Sequence, residues 1–304
     1  MSQTPSPRCY MADVFRCHDP GPHPERPARY DAVSEAVGAA GAEVVEAPSA
    51  PVEALERVHD AAYLAAMERF CAAGGGRLDA DTIVNDCSFE AALRGSGAAM
   101  AAVDAVLAGE VGSAFTCGRP PGHHAERATP MGFCIVNHVA VAAAHARAAG
   151  VERVAILDWD AHHGNGTQAI FWTDPSVLYL SLHQFPFYPG TGAASERGEG
   201  DGAGATVNVP LRAGTSQGEF LAAFRGQALP ALRDFDPGLL LVSAGFDAHA
   251  ADPLCQLGLQ ADAFATMTRE LRGIGAGPVM VLEGGYDLTA LRDSVAEVLT
   301  ALAE

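Results

Sequence analysis

The segment Asp158-Trp159-Asp160-Ala161-His162-His163-Gly164-Asn165-Gly166 sets two carboxylates and an imidazole directly after the strand-forming run 153–157. In extended chain, side chains two residues apart share a face. If the extension persists past Leu157, Asp160 and His162 point into one space. Mixed oxygen and nitrogen donors, followed by glycines that let the chain turn away, read as most of a metal site. Asp247 follows Gly245 at the end of the run 239–243 and is the natural third ligand. Three ligands leave positions open for water and substrate, as catalytic sites require. A metal held there polarises a carbonyl and lowers the pKa of a bound water.

The tandem His123-His124, after Pro120-Pro121-Gly122, supplies acid–base capacity, since imidazole titrates near neutrality. Each imidazole needs a partner to fix its tautomer, and Asp158 and Asn165 are available. Tyr286, between Gly285 and Asp287, offers a hydroxyl to a developing oxyanion. His163, His183 and His249 read as structural or supporting residues.

The elements that must carry these groups alternate. Strands are expected at 8–14, 43–47, 113–117, 153–157, 176–181, 205–209, 239–243 and 278–282. The run Leu239-Leu240-Leu241-Val242 has no polar alternation, which marks a strand buried on both faces. Helical stretches at 89–108, 137–149, 219–235, 262–274 and 288–302 lie between them. This order predicts an α/β fold, one domain over 1–304, with a mostly parallel sheet of about eight strands and helices on both faces. Active sites of such folds sit at the carboxyl ends of strands. Polar residues beside glycine follow five of the expected strands, at 119–124, 158–163, 181–183, 245–247 and 283–286.

Composition narrows the function class. A net charge of −18 argues against nonspecific nucleic-acid binding, which needs basic patches. The seven cysteines are odd in number and form no Cys-x-x-Cys pair, so reduced thiols in a cytoplasmic protein are expected. The N-terminal residues lack a signal-peptide pattern, and no apolar run approaches membrane-spanning length.

Taken together these residues resemble the zinc-dependent histone deacetylase family, which includes acetylpolyamine amidohydrolases and bacterial acetoin-utilisation proteins. The matching pieces are 23–27, 119–126, 132–134, 158–167, 181–183, 189–192, 244–253 and 283–286, in the family's order. The resemblance implies an arginase/deacetylase-like fold and one Zn²⁺ on Asp160, His162 and Asp247. It implies His124 as general base and acid, His123 as its electrostatic partner, and Tyr286 as oxyanion donor. Gly132, Phe133 and Tyr188 would line an acyl-lysine channel, with Leu254 at the rim and Asp81 on the substrate backbone. A structural K⁺ would bind at Asp158, Ser181 and Leu182, with main-chain oxygens of Asp160 and His162. A second would use Phe171, Asp174 and Val177. Asn165 stands where many members carry Asp and others, closer to the class II branch, carry Asn; Tyr188 replaces a commoner Phe. The implied substrate is an acyl-lysine peptide or protein, or alternatively an acetylated polyamine; homo-oligomerisation stays open. Two rivals remain: an arginase-like dimetal hydrolase, for which Gly164 lacks the needed carboxylate, and a catalytically silent acyl-lysine binder.

Overall fold

The runs expected as strands pair side by side in the computed structural model, which describes residues 7–304. Ten strands form: β1 (Arg8–Met11), β2 (Glu43–Glu46), β3 (Gly76–Arg77), β4 (Ile83–Val84), β5 (Ala114–Thr116), β6 (Val154–Asp158), β7 (Val177–Gln184), β8 (Thr206–Leu211), β9 (Leu239–Ala244) and β10 (Ala276–Leu282). Eight make one sheet in the order β2-β1-β5-β10-β9-β6-β7-β8. Every pairing within it is parallel. The small antiparallel hairpin of β3 and β4 stands apart and adds to the expected strands.

Residue type explains where each strand lies. β6, β7 and β9 occupy the middle and are buried along their whole length. β2, with sequence EVVE, forms an edge and is largely exposed. Pro210, which has no N–H to donate, sits on the opposite edge strand. Pro278 lies where the β9–β10 register shifts, so the ladder steps around the missing donor.

Helices Ala28–Ala40, Ala261–Glu270 and Leu288–Ala303 pack together as one layer. Ser88–Leu107 and His138–Ala148 pack as another. One hydrophobic core runs from Cys9 to Leu302. No helix among the described residues is long and apolar enough to cross a membrane.

Two expectations change. The single helix expected over 219–235 is Gln217–Ala223, a π-turn Phe224–Ala228 and Leu229–Phe235. Pro230 cannot donate to the turn before it, and the wider turn absorbs the break. Cys17 and Cys87 form a disulfide with Cα atoms 5.8 Å apart, which corrects the expectation of seven reduced thiols. Non-local contacts bring the two chain segments together. Asn85 Nδ2 donates to the Cys17 carbonyl at 2.8 Å, and His18 Nδ1 meets Ser88 Oγ at 2.7 Å.

Candidate active site

The chemistry gathers at the carboxyl ends of the strands, as the topology requires. Asp160, His162 and Asp247 each present a ligand atom, all within 4.8 Å of one another, and all three are buried. Asp160 and His162 do not meet by strand alternation. β6 ends at Asp158, and the chain turns through 159–164. The convergence comes from that turn: Asp160 Oδ1 accepts from the His162 N–H at 2.9 Å. Asp247 arrives from the end of β9 and accepts from the Ala161 N–H at 2.8 Å. The Gly284 N–H, beyond β10, donates to Asp160 Oδ2 at 2.8 Å. Backbone donors from two loops, one after β6 and one after β10, thus fix both carboxylates before any ion binds.

The electrostatics fit a cation. His162 Nδ1 lies 3.2 Å from Asp160 Oδ1 and 2.9 Å from Asp247 Oδ2. Burial, then the neighbouring Asp160, pushes the Asp247 carboxyl up to about 7. Two buried carboxylates this close resist ionising together unless positive charge joins them. Two oxygens and one imidazole nitrogen suit zinc or another borderline divalent ion. A metal bound there would take the place of the proton that His162 otherwise holds between the two acids.

The paired histidines differ in environment. His123 Nδ1 contacts Asp158 Oδ2 at 3.0 Å. Burial opposes charging of this ring, but Asp158 and Asp160 outweigh it and raise its pKa to about 10. His124 Nδ1 contacts Asn165 Oδ1 at 2.8 Å, while Asn165 Nδ2 donates to Glu126 Oε1 at 2.8 Å. Glu126 therefore fixes the amide, whose oxygen faces His124. That oxygen only accepts, so Nδ1 carries the His124 proton and Nε2 keeps its lone pair. Burial, then the charges of His123 and His162, holds the His124 pKa well below its ordinary value.

A cavity of about 190 Å³ opens onto these groups. His124, His162 and Tyr286 form its inner wall, and all five residues expected to bind substrate line it: Asp81, Gly132, Phe133, Tyr188 and Leu254. Gly132 is required there, because a Cβ would lie 2.4 Å from the His124 ring. Tyr286 stands edge-on to Phe133 with centroids 5.7 Å apart, and the Arg29 guanidinium lies 5.0 Å from its ring centre. Burial raises the Tyr286 phenol well above its ordinary pKa, so the hydroxyl stays protonated as a donor.

Several supporting residues were not legible in the sequence. Phe187 stacks on His162 at 5.4 Å and joins the cavity wall. Asp252 accepts from the Tyr286 N–H at 2.6 Å and the Leu254 N–H at 3.0 Å. Glu283 accepts from Gly122 and His123 N–H groups at 2.7 and 3.1 Å. Glu283 falls within a strand-end segment and Asp252 within the family-like piece 244–253, which were their only sequence signals. Arg29 donates to the carbonyls of Glu283 and Gly285.

The expected cation-binding residues form two separate groups, one across β6 and β7 and one at the start of β7. Asp158 and Ser181 are register partners near the metal cluster. Phe171, Asp174 and Val177 lie at the strand's entry, where Asp174 Oδ1 accepts from the Ser176 N–H at 2.8 Å. Among the described residues the dimetal alternative finds no second ligand set. A Cβ at Gly164 would sit 2.3 Å from Asp158 Oδ2, and His249 lines a separate cleft with Gln260 and Asp287.

A match to the histone deacetylase domain covers residues 23–302. The chain belongs to the histone deacetylase family. It is 47% identical over 249 residues to the histone deacetylase-like amidohydrolase of Pseudomonas aeruginosa, covering 79% of this chain and 65% of that protein. An uncharacterised Synechocystis protein is 45% identical over 302 residues, covering 96% of this chain and 98% of the relative. The crystal structure of the HDA15 HD domain matches with a TM-score of 0.93 at 36% identity, covering 97% of this chain and 90% of that one. The parallel sheet is thus the arginase-like deacetylase fold, and membership of this family supports deacetylase-type hydrolysis.

Proposed function

We propose that this deacetylase hydrolyses the side-chain amide of acylated lysine, with zinc held by Asp160, His162 and Asp247. One observation carries the reading: the three-ligand cluster, a neutral His124 and the Tyr286 hydroxyl meet at one cavity with an apolar wall. Zinc bound there would polarise the amide carbonyl and acidify a water. His124 Nε2 takes the proton of the attacking water and then delivers it to the departing amine. His123, held by Asp158, keeps a positive charge beside that transfer. The Tyr286 hydroxyl donates to the oxyanion of the tetrahedral intermediate. Phe133, Phe187 and Tyr188 enclose the methylene stem and exclude water around it. Potassium at Asp158, Ser181 and Leu182, with the Asp160 and His162 carbonyls, would brace the loop carrying the zinc ligands. A second ion is proposed near Phe171, Asp174 and Val177.

The test is a deacylation screen of zinc-loaded protein with acetyl-lysine peptides, longer acyl-lysines and acetylpolyamines. The chain contains no lysine, so all acyl-lysine consumed belongs to the added substrate. Turnover that stops on chelation and returns with zinc is expected. Binding of acyl-lysine without turnover would make the protein a silent reader; two tightly held manganese ions per chain would restore the dimetal reading.

A further inference from the structure

Thr82 lies between two of the cavity's lining residues and is fully buried. Its Oγ1 accepts from the Phe133 N–H at 3.2 Å and lies 3.2 Å from Asp81 Oδ1. A hydroxyl offers one donor and two acceptor sites. The carboxylate only accepts, so the Thr82 proton points to Asp81 and a lone pair receives Phe133. One oxygen therefore joins the acid at the mouth to the aromatic wall.

The joint holds a backbone that needs holding. Gly132 and Phe133 both have positive φ, 56° and 71°, between Met131 and Cys134, which exchange backbone hydrogen bonds at 3.1 and 2.9 Å. An aromatic residue is disfavoured in that region. The other side of the joint is equally built. Asp79 Oδ1 accepts from the Asp81 and Thr82 N–H groups at 2.9 and 2.6 Å, closing the loop between β3 and β4. His23 Nε2 meets the Asp81 carbonyl at 3.0 Å, and the His23 ring stands edge-on to Phe133 at 4.5 Å.

We propose that Thr82 is a positioning residue that sets Asp81 and Phe133 as one unit, so that substrate grip at the mouth and channel width are adjusted together. This rests on the reading that Asp81 and Phe133 face the substrate. Without that hydroxyl the two loops, one from the β3–β4 hairpin and one following the paired histidines, would meet only through the His23 ring.

Thr82→Val removes the hydroxyl and keeps the volume, whereas Thr82→Ser keeps the hydroxyl. In zinc-loaded enzyme, Thr82→Val should raise KM for an acetyl-lysine peptide about tenfold and change kcat less than about threefold, as expected for one lost positioning bond. Thr82→Ser should return KM to within about twofold of wild type. Hydrogen exchange at the Phe133 amide should quicken about tenfold in Thr82→Val and recover in Thr82→Ser. Unchanged KM and exchange in Thr82→Val, or equal damage from Ser and Val, would overturn the proposal. If Thr82→Val does not fold, Thr82→Ala is read by the same outcomes. An inactive wild-type enzyme would count against the functional reading alone, because the exchange measurement needs no substrate.

Discussion

The inner wall and the mouth of the same cavity are built in opposite ways. At the inner wall Asp160 and Asp247 are buried, and backbone N–H groups from separate loops orient them. At the mouth Tyr188 is 37% exposed, Asp81 is half-buried, and the supports come from a hairpin of two-residue strands. Chemistry that depends on fixed charge sits where the sheet's strand ends hold it; choice of substrate sits where side chains can vary at little cost to the fold. Substitutions should therefore divide into those that abolish turnover and those that redistribute it.

The largest effect belongs to the ligand cluster. Asp160→Ala, His162→Ala and Asp247→Ala should each lose zinc and activity, because three ligands leave no redundancy. Elemental analysis showing full metal in all three variants would break the distinction at its strongest point.

Next come the residues proposed to act on the reacting atoms. His124→Ala should lower kcat by about 10²–10⁴ with little change in KM, and His123→Ala should be milder. Tyr286→Phe keeps the ring against Phe133 and removes only the donor, so kcat should fall by about 10²–10³ with metal retained. Steady-state kinetics beside metal content check both. A His123→Ala variant several-fold worse than His124→Ala would reverse the assigned roles.

Much of the inner wall was legible because strand ends announce themselves: a buried apolar run followed by glycine and a polar residue. Asp247 and the paired histidines were placed by that rule, whereas Tyr286 also needed the family resemblance. The reason given for Asp160 with His162 did not hold, since hydrogen bonding inside a turn, and not strand alternation, brings them together. The mouth was less legible. β3 and β4 are too short to show a period, and the Thr82–Phe133 contact spans 51 residues with no local pattern to mark it. The Cys17–Cys87 disulfide, 70 residues apart, was hidden for the same reason. Phe187, in the loop between Pro186 and Pro189, had no sequence pattern to mark it until its ring was seen against His162.

A smaller effect concerns the scaffold behind the paired histidines. His59 and His138 are buried, and burial holds each near pKa 4. The His59 Nε2 accepts from the Asn137 N–H at 2.9 Å, so the folded ring cannot take a second proton without losing that bond. The unfolded chain binds protons at these residues from about pH 6.5 downward. Stability from this source is therefore full above about pH 6.5 and is lost as pH falls toward about 4. Each histidine contributes a slope of at most about 1.4 kcal/mol per pH unit. Urea unfolding of His59→Gln between pH 6 and 4.5 should show a slope shallower by about one proton than wild type. An identical slope would mean His59 is protonated in the folded protein.

The smallest effect is expected at the mouth, where selectivity is decided. An acyl-lysine presents a neutral stem, whereas an acetylpolyamine carries a further ammonium along its chain. Leu254 lines the cavity and cannot pair with that charge, and an unpaired ammonium in an apolar channel is costly. Asp81 also lines the cavity, but its carboxylate already receives the Thr82 hydroxyl, and burial followed by the neighbouring Asp79 raises its pKa. It is thus a poorer partner for a cation than a free acid at the rim. The net charge of −18 attracts polyamines at long range, an attraction that salt screens within about 8 Å under physiological conditions. Wild-type enzyme should therefore show a higher kcat/KM for acyl-lysine than for acetylpolyamine at that salt. Leu254→Glu should move the ratio toward polyamines by about fivefold, the scale of one new ion pair of roughly 1 kcal/mol. The reading is wrong if acetylspermidine is already the better substrate of wild type and Asp81→Asn removes that preference, because Asp81 and not Leu254 would then be the residue that chooses.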